Sequence, residues 1–322
     1  MRHKFLIAAL LVVFSTTLAQ AQSESWPTRP IKFIVNVAAG GGTDIIARIL
    51  ADQLSRQLPN RVIVENMGGG GGVIAAKTVA RIEPDGYTLL FVGPGHASLP
   101  YMHKVPPYDP IGDFAPVSLI TKFPLVFTVR PELPANTLQE FIALVKAEPD
   151  KYTFGSSGVG GNSHMPVEMF MDLAKVKMIH VPFRGGSQSS TALLAGQIDL
   201  IIDGLAPQLA NIADHRVKIL GVTTKERTPF MPDVPAMSEV LPGYQFPMWM
   251  GIFAPAKTPK PIIDKLAREI HVAIQSDNVR KRYDDLKIES VGSTPEEFGA
   301  FFKEQLNFAR EIIDHAHIQL DN

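Results

Sequence analysis

Short apolar runs rich in β-branched residues alternate along the chain with segments whose apolar positions recur every three to four residues, so strands and amphipathic helices follow one another. Ile31–Asn36 reads as a buried strand, and Thr43–Leu58 as a helix with Ile46, Ile49, Leu50, Leu54 and Leu58 on one face. Strand Val62–Glu65, helix Val73–Ile82 and strand Thr88–Val92 complete a parallel βαβαβ unit. A second set repeats that layout: strand Leu125–Arg130, helix Leu138–Ala147, strand Tyr152–Ser156, helix Pro166–Leu173, strand Met178–Pro182, helix Ser189–Leu194 and strand Ile198–Asp203. Strand Val217–Val222 and a proline-rich passage precede strand Met248–Phe253, and three helices, Pro261–Gln275, Val279–Leu286 and Pro295–Ala316, close the chain. With no further strands beside them, these helices are expected to return to the first lobe. The expected division is residues 22–123 plus 247–322 for lobe 1 and 124–246 for lobe 2, with two crossover segments.

The N-terminus changes the picture of where this α/β chain works. Met1-Arg2-His3-Lys4, an apolar run from Phe5 to Leu18 and Ala19-Gln20-Ala21 have the pattern of a secretory signal spanning residues 1–21. The run is shorter than the roughly 20 residues of a membrane span, so a soluble mature protein in the periplasm is expected. The absence of cysteine excludes disulfides and a lipid-anchored cysteine. Loss of Arg2 and Lys4 from 31 basic residues, against 32 acidic ones, leaves a slightly acidic chain and nothing that favours nucleic acid. The nine histidines show no metal-ligand spacing, and no cofactor is expected.

Candidate chemistry gathers where strands hand over to helices, since ligands of α/β sheets sit beyond the carboxyl ends of the strands. Ala38-Ala39-Gly40-Gly41-Gly42-Thr43-Asp44 joins the first strand to its helix, and free N–H groups there suit a carboxylate. The bland reading is a tight turn with Thr43 as N-cap and Asp44 in the first helical turn. A dinucleotide site with Glu65 as ribose acid is the sharper rival, but the glycine fingerprint fails at Ile45. Gly68–Gly72 suits close packing as well as binding. Gly155 to His164 concentrates hydroxyl, amide and backbone donors without an acid, which is chemistry for gripping an anion; Ser156, Ser157, Gly160, Asn162 and Ser163 are its candidate contacts. A serine hydrolase using Ser163 or Ser156 is the catalytic alternative, although no Gly-x-Ser-x-Gly elbow is present. Arg184 with Gly185 supplies a possible counter-charge against a solvated arginine, Asp203 an acceptor for a ligand amine, hydroxyl or bridging water, and His96 either a cleft wall or a solvent-facing loop residue.

The ordered set Trp26-Pro27-Thr28-Arg29-Pro30, Gly41-Gly42-Thr43-Asp44, Val64-Glu65-Asn66, Glu83-Pro84-Asp85-Gly86-Tyr87, Ser156-Ser157-Gly158-Val159-Gly160, His180-Val181-Pro182-Phe183-Arg184-Gly185, Pro232-Asp233-Val234-Pro235 and Trp249-Met250-Gly251-Ile252-Phe253-Ala254-Pro255 resembles the extracytoplasmic receptors of tripartite tricarboxylate transporters, also called Bug receptors. The resemblance covers essentially the whole mature chain. It implies a non-catalytic, monomeric receptor with a type II-like, two-lobed periplasmic binding fold, which closes on a small carboxylate and delivers it to a permease of one large and one small membrane subunit. It implies contacts at Ala39, Gly40, Gly41, Thr43 and Asp44, partly through waters, and at Ser156, Ser157, Gly160, Asn162, Arg184, Gly185 and Asp203. Two departures stand out. The family usually has a Pro-Pro-Gly-Gly-type loop where this chain has Ala38-Ala39-Gly40-Gly41, and Tyr-Lys-Gly where it has Phe183-Arg184-Gly185.

Overall fold

The computed structural model describes residues 26–246 and 248–316; the expected signal segment lies outside them. In lobe 1, β1 (Ile31–Val35), α1 (Gly42–Gln57), β2 (Val62–Asn66), α2 (Val73–Ala80), β3 (Thr88–Val92), α3 (Gly95–Ser98) and β4 (Phe114–Phe123) follow in order. The chain then builds lobe 2 from β5 (Leu125–Val129), α4 (Leu138–Ala147), β6 (Thr153–Ser156), α5 (Met165–Ala174), β7 (Ile179–Pro182), α6 (Gly186–Leu194), β8 (Leu200–Gly204), α7 (Leu209–Ala213) and β9 (Lys218–Val222). It returns through β10 (Met248–Pro255), α8 (Lys260–Gln275), α9 (Asp277–Asp285), β11 (Glu289–Ser290) and α10 (Pro295–Ala316). The first sheet has the order β11-β4-β10-β3-β1-β2 and the second β7-β6-β8-β5-β9. Helices flank both sheets, so the molecule is a two-lobed α/β protein. No helix among the described residues is long and apolar enough to cross a membrane.

Burial on both faces explains the near-continuous apolar runs. In β1, Ile31, Phe33 and Val35 join the cluster that contains Ile46, Leu50 and Leu54 of α1, while Ile34 joins Ala75, Ala76 and Val79 of α2. The βαβαβ reading of this half holds: β1 pairs in parallel with both β2 and β3. Two expectations need correction. β4, ten residues long, reads poorly as a strand because Pro116 cannot donate to a ladder. It pairs antiparallel with β10, whose register shifts at Met250/Gly251 and Ile252/Phe253 absorb the irregularity. In lobe 2, β6, β7 and β8 pair in parallel as β1, β2 and β3 do, and β5 runs antiparallel between β8 and β9 as β10 does between β3 and β4, so the second sheet repeats the layout of the first. The closing helices are also accompanied by a strand, since β11 pairs with β4.

These helices secure both halves. Gly251 of β10 has no side chain because the Phe298 ring of α10 lies over it, and Phe298 packs among Trp249, Phe253 and Phe302. Further along, Phe308 of α10 meets Phe246 with ring centroids 6.0 Å apart, and a cavity lined by Met169, Leu173, Phe308 and Ile312 separates α10 from α5. A helix of 22 residues, roughly 33 Å long, therefore reaches from the first lobe to a helix of the second. Phe298→Ala should destabilise the protein by about 3–5 kcal/mol in chemical denaturation, because it empties a fully buried aromatic site.

Candidate functional site

The carboxyl ends of β1, β2 and β3 face those of β6, β7 and β8 across the gap between lobes, and the linking loops supply the candidate site. On the lobe 1 side, Asp44 governs the glycine loop. Its side chain is only 5 % exposed. Oδ2 accepts from the Gly40 N–H at 2.9 Å and from Arg48 Nε at 3.0 Å, and Oδ1 accepts from Asn66 Nδ2 at 2.9 Å. Arg48 Nη2 also lies 2.9 Å from Oδ1 and donates to Asn66 Oδ1 at 2.9 Å. Burial pushes the Asp44 carboxyl up, but the bonds from Arg48, Gly40 and Asn66 outweigh it and hold the group below its ordinary range. Asp44 is thus the clamp of its own loop, with both oxygens occupied by protein donors. The N-cap of α1 is Gly41 rather than Thr43, and it makes no side-chain cap bond.

On the lobe 2 side the Gly155–His164 loop is fastened from behind. Ser156 Oγ lies 2.6 Å from His180 Nε2 and accepts from the Gly158 N–H. Ser163 Oγ accepts from the Ser157 N–H at 2.8 Å and donates to Ser157 Oγ. His164 Nδ1 accepts from the Gly160 N–H, so its proton sits on Nε2, 3.1 Å from Glu168 Oε1. The His164 and His180 rings stack at 4.2 Å, and Phe154 stacks on His180 at 4.6 Å. Burial and the neighbouring His164 depress His180 to about 3. Ser156 thus sits fully buried beside a very weak base, and Ser163 Oγ is engaged by the Ser157 N–H and hydroxyl; neither is an activated nucleophile.

Two helix N-termini meet between these walls. The N-cap of α6 is Gly185, which like Gly41 offers no side-chain cap. A Cβ at Gly41 would stand 3.9 Å from the backbone nitrogens of Gly186 and Ser187. Across the same line the Ala38 N–H donates to the Arg184 carbonyl and Ser187 Oγ donates to the Ala39 carbonyl, each at 3.3 Å. Asp203, partly buried, lies against Gly186, and its Oδ1 accepts from the Gly204 N–H at 2.7 Å. Burial raises this carboxyl to about 6, against the lowering effect of that bond.

The other candidates divide. Ala39 and Gly40 are exposed at the lobe boundary and Gly41 is buried there. Arg184 is exposed and lines, with Gly69–Gly71, Ser157–Val159 and Gln188, a cavity of about 700 Å³ between the lobes. Asn162 reaches across to lobe 1, where its Oδ1 accepts from the Gly95 N–H at 2.8 Å. His96 belongs to neither cleft nor solvent. It is 1 % exposed, ringed by Tyr108, Phe114, Phe253 and Phe302, and burial lowers it to about 3. Glu65, the would-be ribose acid, is exposed and paired with Lys32 at 3.2 Å. Sequence reasoning missed Arg48, Asn66 and His180 as supports; the Asp44/Arg48 spacing of four on one helix was the available signal. No cluster of three or more metal-binding side chains occurs among the described residues.

Comparison with known proteins decides the family. The model of the tripartite tricarboxylate transporter family receptor matches residues 46–318. The chain belongs to that receptor family. Among solved structures, the periplasmic binding protein BugD superposes with a TM-score of 0.88 at 33% identity, covering 91% of this chain and 99% of that one. MatC of Rhodopseudomonas palustris, solved with bound malate, gives 0.86 at 32% identity over 89% and 100% of the two chains. The R. palustris protein Rpa4515, solved with adipate, gives 0.87 at 28% identity over 91% and 99%. The chain is therefore a solute-binding receptor rather than an enzyme, which removes the hydrolase alternative.

In this receptor the Gly68–Gly72 run serves close approach. A Cβ at Gly71 would collide with the Val159 carbonyl of the other lobe, and one at Gly68 would stand 3.3 Å from the Arg184 carbonyl. Gly71 has φ +65°, a conformation that asparagine also tolerates. Gly71→Asn should therefore fold normally but hold the lobes apart, giving a larger radius of gyration in solution scattering than the unsubstituted receptor.

Proposed function

We propose that the receptor works in the periplasm, closes on a small carboxylate held between the Gly40–Asp44 and Ser156–Ser163 loops, and delivers it to a permease of one large and one small membrane subunit. The observation that carries the reading is the meeting of two helix N-termini, α1 and α6, both with glycine caps that leave their first N–H groups free of side-chain acceptors. Each carries partial positive charge, and an anion placed between them draws on both. The malate and adipate held by MatC and Rpa4515 support the same ligand class. The family's description as the receptor of a tripartite tricarboxylate transporter supports the permease partner. Ala39, Gly40, Gly41 and Thr43 then face one carboxyl group, and Ser156, Ser157, Gly160, Asn162, Ser163, Arg184, Gly185 and Asp203 surround the distal part, the buried serines by shaping the loop.

A panel of mono- and dicarboxylates tests this by thermal unfolding. An acid at 100 times its Kd should stabilise the protein by about 2.7 kcal/mol. Asp44→Ala should weaken that acid at least about tenfold, since it frees the loop and unpairs Arg48 and Asn66. Binding of sugars or nucleotides but no acid would refute the reading.

Asp203 makes the binding pH-dependent. Its carboxyl is raised to about 6, and a bound anion beside it raises it further, so anion binding takes up a proton. Affinity for a dicarboxylate should therefore rise as the pH falls from 7.5 to 5.5, by up to about tenfold per unit, and Asp203→Asn should flatten the profile. The opposite slope would mean that Asp203 accepts from a ligand ammonium group instead.

A further inference from the structure

Two side-chain amides near the ends of the first lobe's central strands are buried without full hydrogen bonding. Asn36, 3 % exposed, directly follows β1, and its Oδ1 has no partner. Asn162, 6 % exposed, comes from the lobe 2 loop; its Oδ1 is taken by the Gly95 N–H, which fixes the amide's orientation, while its buried Nδ2 has no partner. Burying such groups unpaired opposes folding, so their retention at a binding cleft calls for a ligand group.

Both border the same stretch of the lobe contact. A Cβ at Gly72 would stand 2.5 Å from Asn36 Nδ2, and its neighbour Gly71 packs against Val159 and Gly161, the residue before Asn162. From the other side, the Asn162 amide lies against Gly93, just past the end of β3. β3 is the strand paired with β1, with Phe91 opposite Val35, so Asn36 and Gly93 leave neighbouring strand ends.

We propose that Asn36 and Asn162 form a polar subsite that reads a hydroxyl group on the bound acid, so that the receptor prefers hydroxycarboxylates to the same acids without the hydroxyl. The inference rests on the carboxylate reading and refines it. Asn162, its oxygen occupied, presents only N–H, whereas Asn36 presents an unpaired oxygen. A hydroxyl accepts from the first and donates to the second. A keto or carboxylate oxygen only accepts, and leaves Asn36 Oδ1 unpaired. Asn36 thereby reads one substituent while the glycine loop and the helix N-termini hold the carboxyl group.

Calorimetry with acids that differ by one hydroxyl tests it: succinate and malate, glutarate and 2-hydroxyglutarate, propionate and lactate, 3-phenylpropionate and 3-phenyllactate. In each pair that binds, the hydroxy acid should bind at least about tenfold tighter, because a site built around a hydroxyl penalises its absence. Asn36→Leu, of similar volume, should abolish that ratio and raise the Tm of the empty protein, since it removes an unpaired buried amide oxygen. A merely structural Asn36 would instead lower the Tm and leave the ratio intact. Equal affinities in the unsubstituted protein overturn the inference without any variant and leave the carboxylate reading standing; failure of every acid to bind overturns both.

Discussion

The cleft depends on one buried carboxylate. Asp44 ties the Gly40 N–H, the Arg48 guanidinium and the Asn66 amide to a single point, and so joins the first glycine loop, the first turns of α1 and the end of β2. Its charge is sustained by those donors against the cost of burial, and losing it would strand Arg48 and Asn66 together. Because the carboxyl is held below its ordinary value, its contribution is present at neutral pH and is lost as the pH falls through its folded value. Everything on the lobe 1 side follows from this clamp. The loop it fixes presents the uncapped N-terminus of α1, and the preceding residues Ala38 and Ala39 make the backbone contacts with Arg184 and Ser187.

Lobe 2 achieves the same rigidity with neutral groups. Its loop hangs on Ser156, Ser163 and the stacked His164 and His180 rings; burial keeps His180 uncharged, and the Gly160 N–H fixes the tautomer of His164. The two walls then close over glycine. At Gly71 the backbone of one lobe comes so near the Val159 carbonyl of the other that no Cβ fits between them. A side chain there would act as a spacer, and the two lobes would lose their close approach.

Much of this was legible in the sequence, and the failures have physical causes. The alternation of apolar runs gave β1, β2, β3 and the helices between them, because strands buried on both faces leave a strong signal. β4 escaped because its apolar pattern is broken by Pro116 and by the polar residues Ser118 and Thr121, which are buried inside a bulged antiparallel pairing that no local pattern announces. The glycine loops were found because glycine is informative on its own. Their supports were not: Asn66 stands 22 residues from Asp44 and His180 stands 24 from Ser156, and only the folded sheets bring them together. His96 was misplaced because a histidine after a strand usually meets solvent or ligand, whereas here four aromatic rings enclose it.

The choice of donors bears on how such a receptor lets go. Moving a carboxylate out of water costs several kcal/mol, and a helix N-terminus returns about 0.3–2 kcal/mol, each N–H bond to the charge about 1.5–3 kcal/mol. Either lobe alone therefore comes close to break-even, and a firm grip requires both. The nearby cations do not alter that balance: Arg48 is half exposed and committed to Asp44, and Arg184 is exposed at the rim. A ligand held in this way stabilises the closed arrangement because only there do the two sets of donors act together. Separating the lobes removes half the grip at once, without a buried ion pair to break.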